Sequence, residues 1–369
     1  MHLRAFLVSF VVKFFDDPGK NLEPRRTQKG PRRCTKEVLE DGPIVTLNDI
    51  REARSRLQGV AVHTPLLPAP FPGDPDRTLY LKLENQQPIG AFKLRGAYNK
   101  IASLPPDQRA RGVITYSSGN HGQGVAYAAR ALGVKAVIVM PRNAPAIKRE
   151  ATAAMGAEII LVGPGSAERQ AKAEEVAAQR GYVIIPPYND EKIIAGQGTM
   201  GLEILEDLPE VECVLVPVGG GGMISGIATA IKLSKADARV IGVEPELAAD
   251  AQATLRSGRI TQFSADDVSR TIADGLRTQS IGPINFEHMR RYVDDIVTVR
   301  EEEIRKAVKM LAADPRTVAE PSGAVAVAAF LFHPDELPSA KISVAVISGG
   351  NIDPQMLRQV QSESPAARV

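Results

Sequence analysis

Apolar positions along this chain switch period repeatedly, from three-to-four-residue spacing to short unbroken or alternating runs, the signature of helices interleaved with strands. Thr46 and Asn48 are cap-type residues ahead of Ile50, Ala53 and Leu57, and Gly59 closes that first helix. After a proline-rich link, Leu79–Leu83 reads as a strand and Lys93–Leu104 as a helix. Strands at 112–116, 136–140, 158–162 and 183–185 then alternate with helices at 146–155, 166–180 and one carrying Val125, Ala128, Ala129 and Leu132. A second run has a helix at 196–206, a strand at 213–218, a helix at 223–233 and a strand at 240–244. Helices at 301–312 and 322–331 lead to a last buried strand, 342–347. The alternation predicts an α/β fold with parallel open sheets covered by helices, and ligands at the carboxyl ends of the strands.

Composition adds bounds rather than a function. The 369 residues suffice for roughly two domains. A formal net charge of +2 gives no nucleic-acid signal, and no apolar run is long enough for a membrane span. Two cysteines, Cys34 and Cys213, are too few for a disulfide framework and suit a reducing cytoplasm. Residues 1–44 begin with an apolar stretch and continue into a basic, proline-bearing tract without a good cleavage site, so a disordered extension is expected there. The residues after Leu357 are polar and expected to fray.

Chemistry concentrates in the glycine-rich stretches that follow predicted strands. In Pro88-Ile89-Gly90-Ala91-Phe92-Lys93-Leu94-Arg95-Gly96, a lysine opens a helix in apolar surroundings, where desolvation favours a neutral, nucleophilic amine. Val216-Pro217-Val218 runs through Gly219, Gly220, Gly221 and Gly222 into a helix beginning near Met223, so consecutive backbone N–H groups and a helix N-terminus can hold a phosphate. Neither a Walker loop nor a dinucleotide fingerprint fits that spacing. Ser117-Ser118-Gly119-Asn120-His121 forms a second such loop, whose polar residues can equally serve as helix caps. Ser348-Gly349-Gly350-Asn351 follows the last strand, placing a neutral hydroxyl where a ring nitrogen can meet it.

These motifs, in this order, resemble the threonine/serine dehydratases and serine racemases, pyridoxal-phosphate enzymes of the tryptophan-synthase-β fold type. The resemblance spans about residues 46–355. It implies that Lys93 forms the Schiff base to pyridoxal 5'-phosphate, that Phe92 supports the ring, and that Gly219, Gly220, Gly221, Gly222 and Met223 hold the phosphate. Asn120 would then meet the phenolic oxygen and Ser348 the pyridine nitrogen. The backbone of Ser117, Ser118, Gly119, Asn120 and His121 would bind the substrate carboxylate. Residues 45–111 and 188–360 would form a large cofactor domain around a small inserted domain, 112–187, with a tail at 361–369. A homodimer is the family's expectation.

A subtler likeness to the racemase-like branch implies a divalent cation, Mg²⁺ or Ca²⁺, on Glu244, the Ala248 carbonyl and Asp250, although clustered acids are more often a solvated face. The implied reaction is β-elimination: Lys93 takes the α-proton, the β-hydroxyl leaves, and L-threonine or L-serine yields a 2-oxo acid and ammonia. A serine at the pyridine nitrogen does not hold the ring protonated as an aspartate would, which favours prompt elimination. Ser118 stands where racemases keep a second base, so serine or hydroxyaspartate-type racemisation is the alternative, and a catalytically silent pyridoxal-phosphate carrier the third reading.

Overall fold

The computed structural model describes residues 45–69, 76–117, 119–144, 146–163 and 165–363. The expected N-terminal extension, Ser118 and residues 364–369 lie outside the described residues.

The chain enters through α1 (Leu47–Leu57), whose Thr46 and Asp49 form a reciprocal capping box. Then come β1 (Leu66–Pro68), β2 (Thr78–Leu83), α2 (Lys93–Ala102) and α3 (Pro106–Arg111). The next stretch alternates β3 (Val113–Thr115), α4 (Asn120–Ala131), β4 (Ala136–Pro141), α5 (Ala146–Ala154), β5 (Glu158–Val162), α6 (Ser166–Arg180) and β6 (Val183–Ile184). After α7 (Glu191–Asp207) follow β7 (Cys213–Pro217), α8 (Gly222–Ser234), β8 (Arg239–Pro245), α9 (Asp250–Ser257) and α10 (Ala265–Ser269). The chain ends with α11 (Pro283–Tyr292), β9 (Asp295–Val299), α12 (Glu301–Leu311), α13 (Pro321–Phe332), β10 (Ile342–Ile347) and α14 (Pro354–Ser362).

Two sheets result. One runs β1-β2-β10-β7-β8-β9, parallel except for the antiparallel edge strand β1, and the other runs β5-β4-β3-β6, all parallel. Both faces of the larger sheet are covered, which is why its central strands are mostly apolar on both sides. Leu215, Ala345 and Ile347 pack with Ile304, Val308 and Val325 of α12 and α13. Val214, Val216, Val344 and Val346 pack with Met200, Ile204, Ile224 and Ile227 of α7 and α8. The smaller sheet repeats the scheme, with Ile138 and Met140 against α4 and Val137 and Val139 against α6.

From Leu357 to Ser362 the chain is helical rather than frayed. Helix α14 continues to Ser362 because Val360 is buried in the main core and Arg305 holds Glu363 through its Nε at 2.9 Å. Nor does α7 begin at residue 196: Asp190 accepts the N–H groups of Lys192 and Ile193, which starts the helix a turn earlier.

Candidate active site

The Lys93 turn is built from both ends of the chain. Gly90 turns with φ +70°, which a side chain disfavours, and Ala91 pairs with Gly349 in an antiparallel bridge. The Phe92 N–H donates to the Ser348 carbonyl at 3.0 Å, and the Gly350 N–H to the Gly90 carbonyl at 2.9 Å. Helix α2 therefore starts against the end of β10, in the crevice expected of a parallel sheet. Lys93 is half-buried as a residue, and its amine donates to the Pro187 carbonyl at 2.8 Å. Burial lowers its pKa to about 8, so a sizeable share of the amine is neutral near physiological pH. Phe92, itself buried, sets its ring 5.1 Å from the Lys93 Nζ.

Residue 188 carries the site from the lysine to the glycine turn. Immediately after the carbonyl that receives Lys93, the Tyr188 ring lies so close to Gly220 that no side chain fits there. Gly221 caps α8 in the left-handed region at φ +92°, and Gly222 and Met223 open the helix. The first N–H groups of a helix have no partner within it, so this turn presents donors and the positive end of the α8 dipole. Gly282 donates to the Gly220 carbonyl at 3.1 Å and fixes the turn from α11.

The ring of contacts closes through α13. A side chain on Gly219 would meet Gly275 and Leu276; the Gly275 N–H donates to Ser322 Oγ at 2.8 Å, and Ser348 Oγ to the Ser322 carbonyl at 3.4 Å. Asn120, first residue of α4, donates from its amide to Glu320 Oε1 at 2.6 Å and accepts from the Asn351 amide at 2.8 Å. His121 is buried beside it, with Nε2 3.0 Å from the Ile185 carbonyl. Burial, and then the charge of Lys93, pull its pKa down to about 3, so the imidazole is neutral and Nε2 is the donor. The Gly119 N–H meets Ser117 Oγ at 3.3 Å, which gives the α4 loop its turn.

A second cluster sits at the end of β8. Glu244 is fully buried and accepts the N–H groups of Ala251 and Gln252 at 3.0 and 2.8 Å. Asp250 is equally inaccessible, and its carboxylate oxygens, faced by the backbone N–H groups of Asp250 itself and Ile281, make no well-formed hydrogen bond. Burial, with Asp250 alongside, raises Glu244 well above the carboxylate range, and burial raises Asp250 to about 7. Among the described residues no three His, Cys, Asp or Glu side chains converge as a metal cluster. Glu244 and Asp250 are close enough for each to feel the other's charge, and a pair of buried acids is a hard oxygen set of the kind that suits a cation.

Lys93, Phe92, Asn120, His121, the four glycines, Met223 and Ser348 thus fall on one ring of contacts, while Glu244 and Asp250 lie together elsewhere, with Ala248 buried in the turn between them in sequence. Reading the sequence missed Pro187, Tyr188, Glu320 and the Asn351 amide. Tyr188 follows two prolines and precedes a helix-capping aspartate, a local signal of a fixed turn, but nothing local points Glu320 at Asn120 across 200 residues.

What unites these positions is an amine kept reactive beside an anion cradle, the requirement of an enzyme that works through a phosphorylated aldehyde. Residues 58–349 match the family of pyridoxal-phosphate dependent enzymes, and the chain belongs to that family. Its fold is of the tryptophan-synthase-β type. An L-threonine ammonia-lyase of Thermotoga maritima is 45% identical over 318 residues, 86% of this chain and 78% of that protein. An L-threo-3-hydroxyaspartate ammonia-lyase of Saccharomyces cerevisiae is 40% identical over 84% of this chain and 94% of its own. Among solved structures, maize serine racemase superposes with a TM-score of 0.80 at 36% identity, covering 85% of this chain and 96% of that one.

Proposed function

We propose that this protein is a pyridoxal-phosphate-dependent ammonia-lyase that removes water and then ammonia from L-threonine and L-serine, leaving 2-oxobutanoate or pyruvate. The observation that carries the reading is the desolvated Lys93 amine, held at 2.8 Å by the Pro187 carbonyl next to the residue that walls the glycine turn.

The residues fit the cofactor. Lys93 would hold it covalently, the N–H groups of Gly219 to Gly222 and Met223 its phosphate, Asn120 its phenolic oxygen and Ser348 its ring nitrogen, with Phe92 against the ring. When bound, the cofactor supplies an electron sink for the pair left on the substrate as its α-proton departs. Backbone N–H groups from Ser117 to His121 would fix the substrate carboxylate, which sets the Cα–H bond toward Lys93. Once the substrate's own amine has displaced it, the freed Lys93 amine, with its pKa near 8, would take that proton and carry it to the departing hydroxyl. His121, neutral and already donating to a backbone carbonyl, is no proton carrier at neutral pH.

Glu244, Asp250 and the Ala248 carbonyl would bind Mg²⁺ or Ca²⁺, whose charge satisfies the buried carboxylate of Asp250 and stiffens the turn after β8. The segment 112–187 would act as a small domain inserted in the larger one, and the assembly would be a cytoplasmic homodimer. No helix among the described residues is long and apolar enough to cross a membrane. The resemblance to maize serine racemase supports a second reading, racemisation with Ser118 as the base opposite Lys93. Incubation with L-threonine, L-serine, L-threo-3-hydroxyaspartate and D-serine, with assay of 2-oxo acid and of enantiomer ratio, separates the two. Enantiomer exchange without 2-oxo acid would overturn the lyase reading.

A further inference from the structure

Resting on the cofactor reading above, a second question is what holds the Pro187 carbonyl where the Lys93 amine meets it. The segment Ile185-Pro186-Pro187-Tyr188 leaves the end of β6 and reaches the glycine turn. Its two prolines lack N–H groups and have φ fixed near −65°, so the segment is stiff but cannot anchor itself through donors of its own. Its orientation must therefore be set at its ends.

At the far end the anchors are plain. The Tyr188 ring is wedged against Gly220 and its Cβ and backbone against Gly222, and its carbonyl accepts from Asp190 N at 2.9 Å and from Asn285 Nδ2 at 3.3 Å. At the near end, the Ile185 N–H donates to the Ile114 carbonyl at 2.9 Å. The Ile185 carbonyl accepts twice, from Thr115 Oγ1 at 2.9 Å and from His121 Nε2 at 3.0 Å. Both donors are buried, Thr115 at 1% and His121 at 4% exposure, so both lone pairs of that oxygen are committed inside the protein.

We infer that His121 is a positioning residue for Lys93: with Thr115 it pins the Ile185 carbonyl, and the diproline carries that constraint to the Pro187 carbonyl on which the lysine amine rests. This assigns the imidazole a task in a loop whose backbone alone was given one. The persistent neutrality of the ring agrees with it, because a protonated imidazole would repel the lysine. Since near-attack geometry tolerates little displacement, loosening the strut by a fraction of an ångström slows every step in which the amine is the reactant.

The test reads the amine directly. Full-length protein freed of cofactor is mixed with pyridoxal phosphate at a series of pH values and quenched with borohydride, and the adduct at Lys93 is quantified by peptide mass spectrometry. His121→Leu and Thr115→Val should each slow trapping by roughly tenfold or more and lower kcat with KM nearly unchanged. His121→Gln, whose amide nitrogen sits as many bonds from the backbone as Nε2, and Thr115→Ser should restore most of the rate. Thermal unfolding checks that each variant is folded. Wild-type trapping rates in both His121→Leu and Thr115→Val overturn the inference, as does equal slowing in His121→Leu and His121→Gln, which would mark a packing role. If the wild-type chain traps no pyridoxal phosphate at Lys93, the cofactor reading itself fails and takes this inference with it.

Discussion

The Asn351 side-chain amide donates both to the Ile89 carbonyl at 2.9 Å and to Asn120 Oδ1 at 2.8 Å, and so decides which end of the Asn120 amide is left for the site. With Asn351 at its oxygen and Glu320 taking one N–H at 2.6 Å, the Asn120 amide keeps a second N–H to donate. A donor at this place suits a developing phenolate. Asn120→Ala should lower kcat for L-threonine by about 10²-fold, the scale of losing one preorganised donor. Asn351→Ala should do the same to a lesser degree, because its loss frees the amide to flip. Steady-state kinetics of both variants check this, and an Asn351→Ala enzyme with unaltered kcat would contradict the orienting role.

Lys93→Ala should reduce turnover by roughly 10³-fold or more and leave no visible lysine–cofactor chromophore. In the wild-type chain, burial alone brings the amine down to about 8, so its neutral fraction grows as pH rises and saturates above that value. The rate of pyridoxal phosphate capture should therefore climb with pH and level off above about 8. Stopped-flow absorbance measures the profile, and a rate still rising toward the ordinary lysine range would show an unshifted amine.

Arg95, two residues beyond Lys93, is 1% exposed and lies between Glu84 and Glu203, with ion-pair distances of 2.8 and 2.6 Å. Lys82 joins the same group, 2.7 Å from Glu203. Truncating one member leaves buried charge without its counterpart, so Arg95→Met should cost about 3–5 kcal/mol of stability. Arg95→Lys should recover little, since a lysine lacks the fork that serves two carboxylates. Urea unfolding of both variants provides the comparison.

His333 caps the far end of α13, with Nε2 2.9 Å from Glu303 and Nδ1 2.7 Å from Glu336. Burial opposes its charge, but Glu303 and Glu336 outweigh it and raise the folded pKa. A raised histidine stabilises the fold fully below the unfolded value of about 6.5, and the contribution is lost as pH rises through the folded pKa. His333→Gln should thus lower the melting temperature more in mildly acidic than in alkaline buffer. Melting curves across pH check the sign, and a deficit that grows with pH would reverse the assignment.

Added Mg²⁺ or Ca²⁺ should raise the melting temperature of the wild-type chain, and EDTA should remove the gain. A ligand at a hundredfold excess over its dissociation constant stabilises by about 2.7 kcal/mol, readily visible in a melt. Asp250→Asn should abolish the response while leaving the Lys93 chromophore in place. Calorimetric titration completes the measurement, and equal cation effects in both proteins would place the ion elsewhere.

The sequence was most legible where chemistry is local. Lys93 between Phe92 and Leu94, and four glycines between a buried strand and a helix, carry their environment in their neighbours, and strand 342–347 shows its burial in its own residues. The edge strand Leu66–Pro68 was hidden because three residues ending in proline have no periodicity. Strand Asp295–Val299 and helix Pro283–Tyr292 were passed over, the helix although Gly282-Pro283 marks its start. The Ala91–Gly349 bridge, the Glu320–Asn120 pair and the Pro187 anchor depend on residues brought together only by tertiary packing. Those are the contacts that turn separate motifs into one site.

Strand β10 is the last to be synthesised, yet it lies between β2 and β7. A nascent chain still short of Ile342 has both of those strands but nothing to seal the gap between them, and the turn before Lys93 has no Ser348 or Gly349 to lean on. Assembly of the larger sheet must wait until Ile342–Ile347 has been made, and cofactor loading with it. A chain cut short ahead of Ile342 is therefore left with the facing edges of β2 and β7 unpaired, and with no finished turn for Lys93.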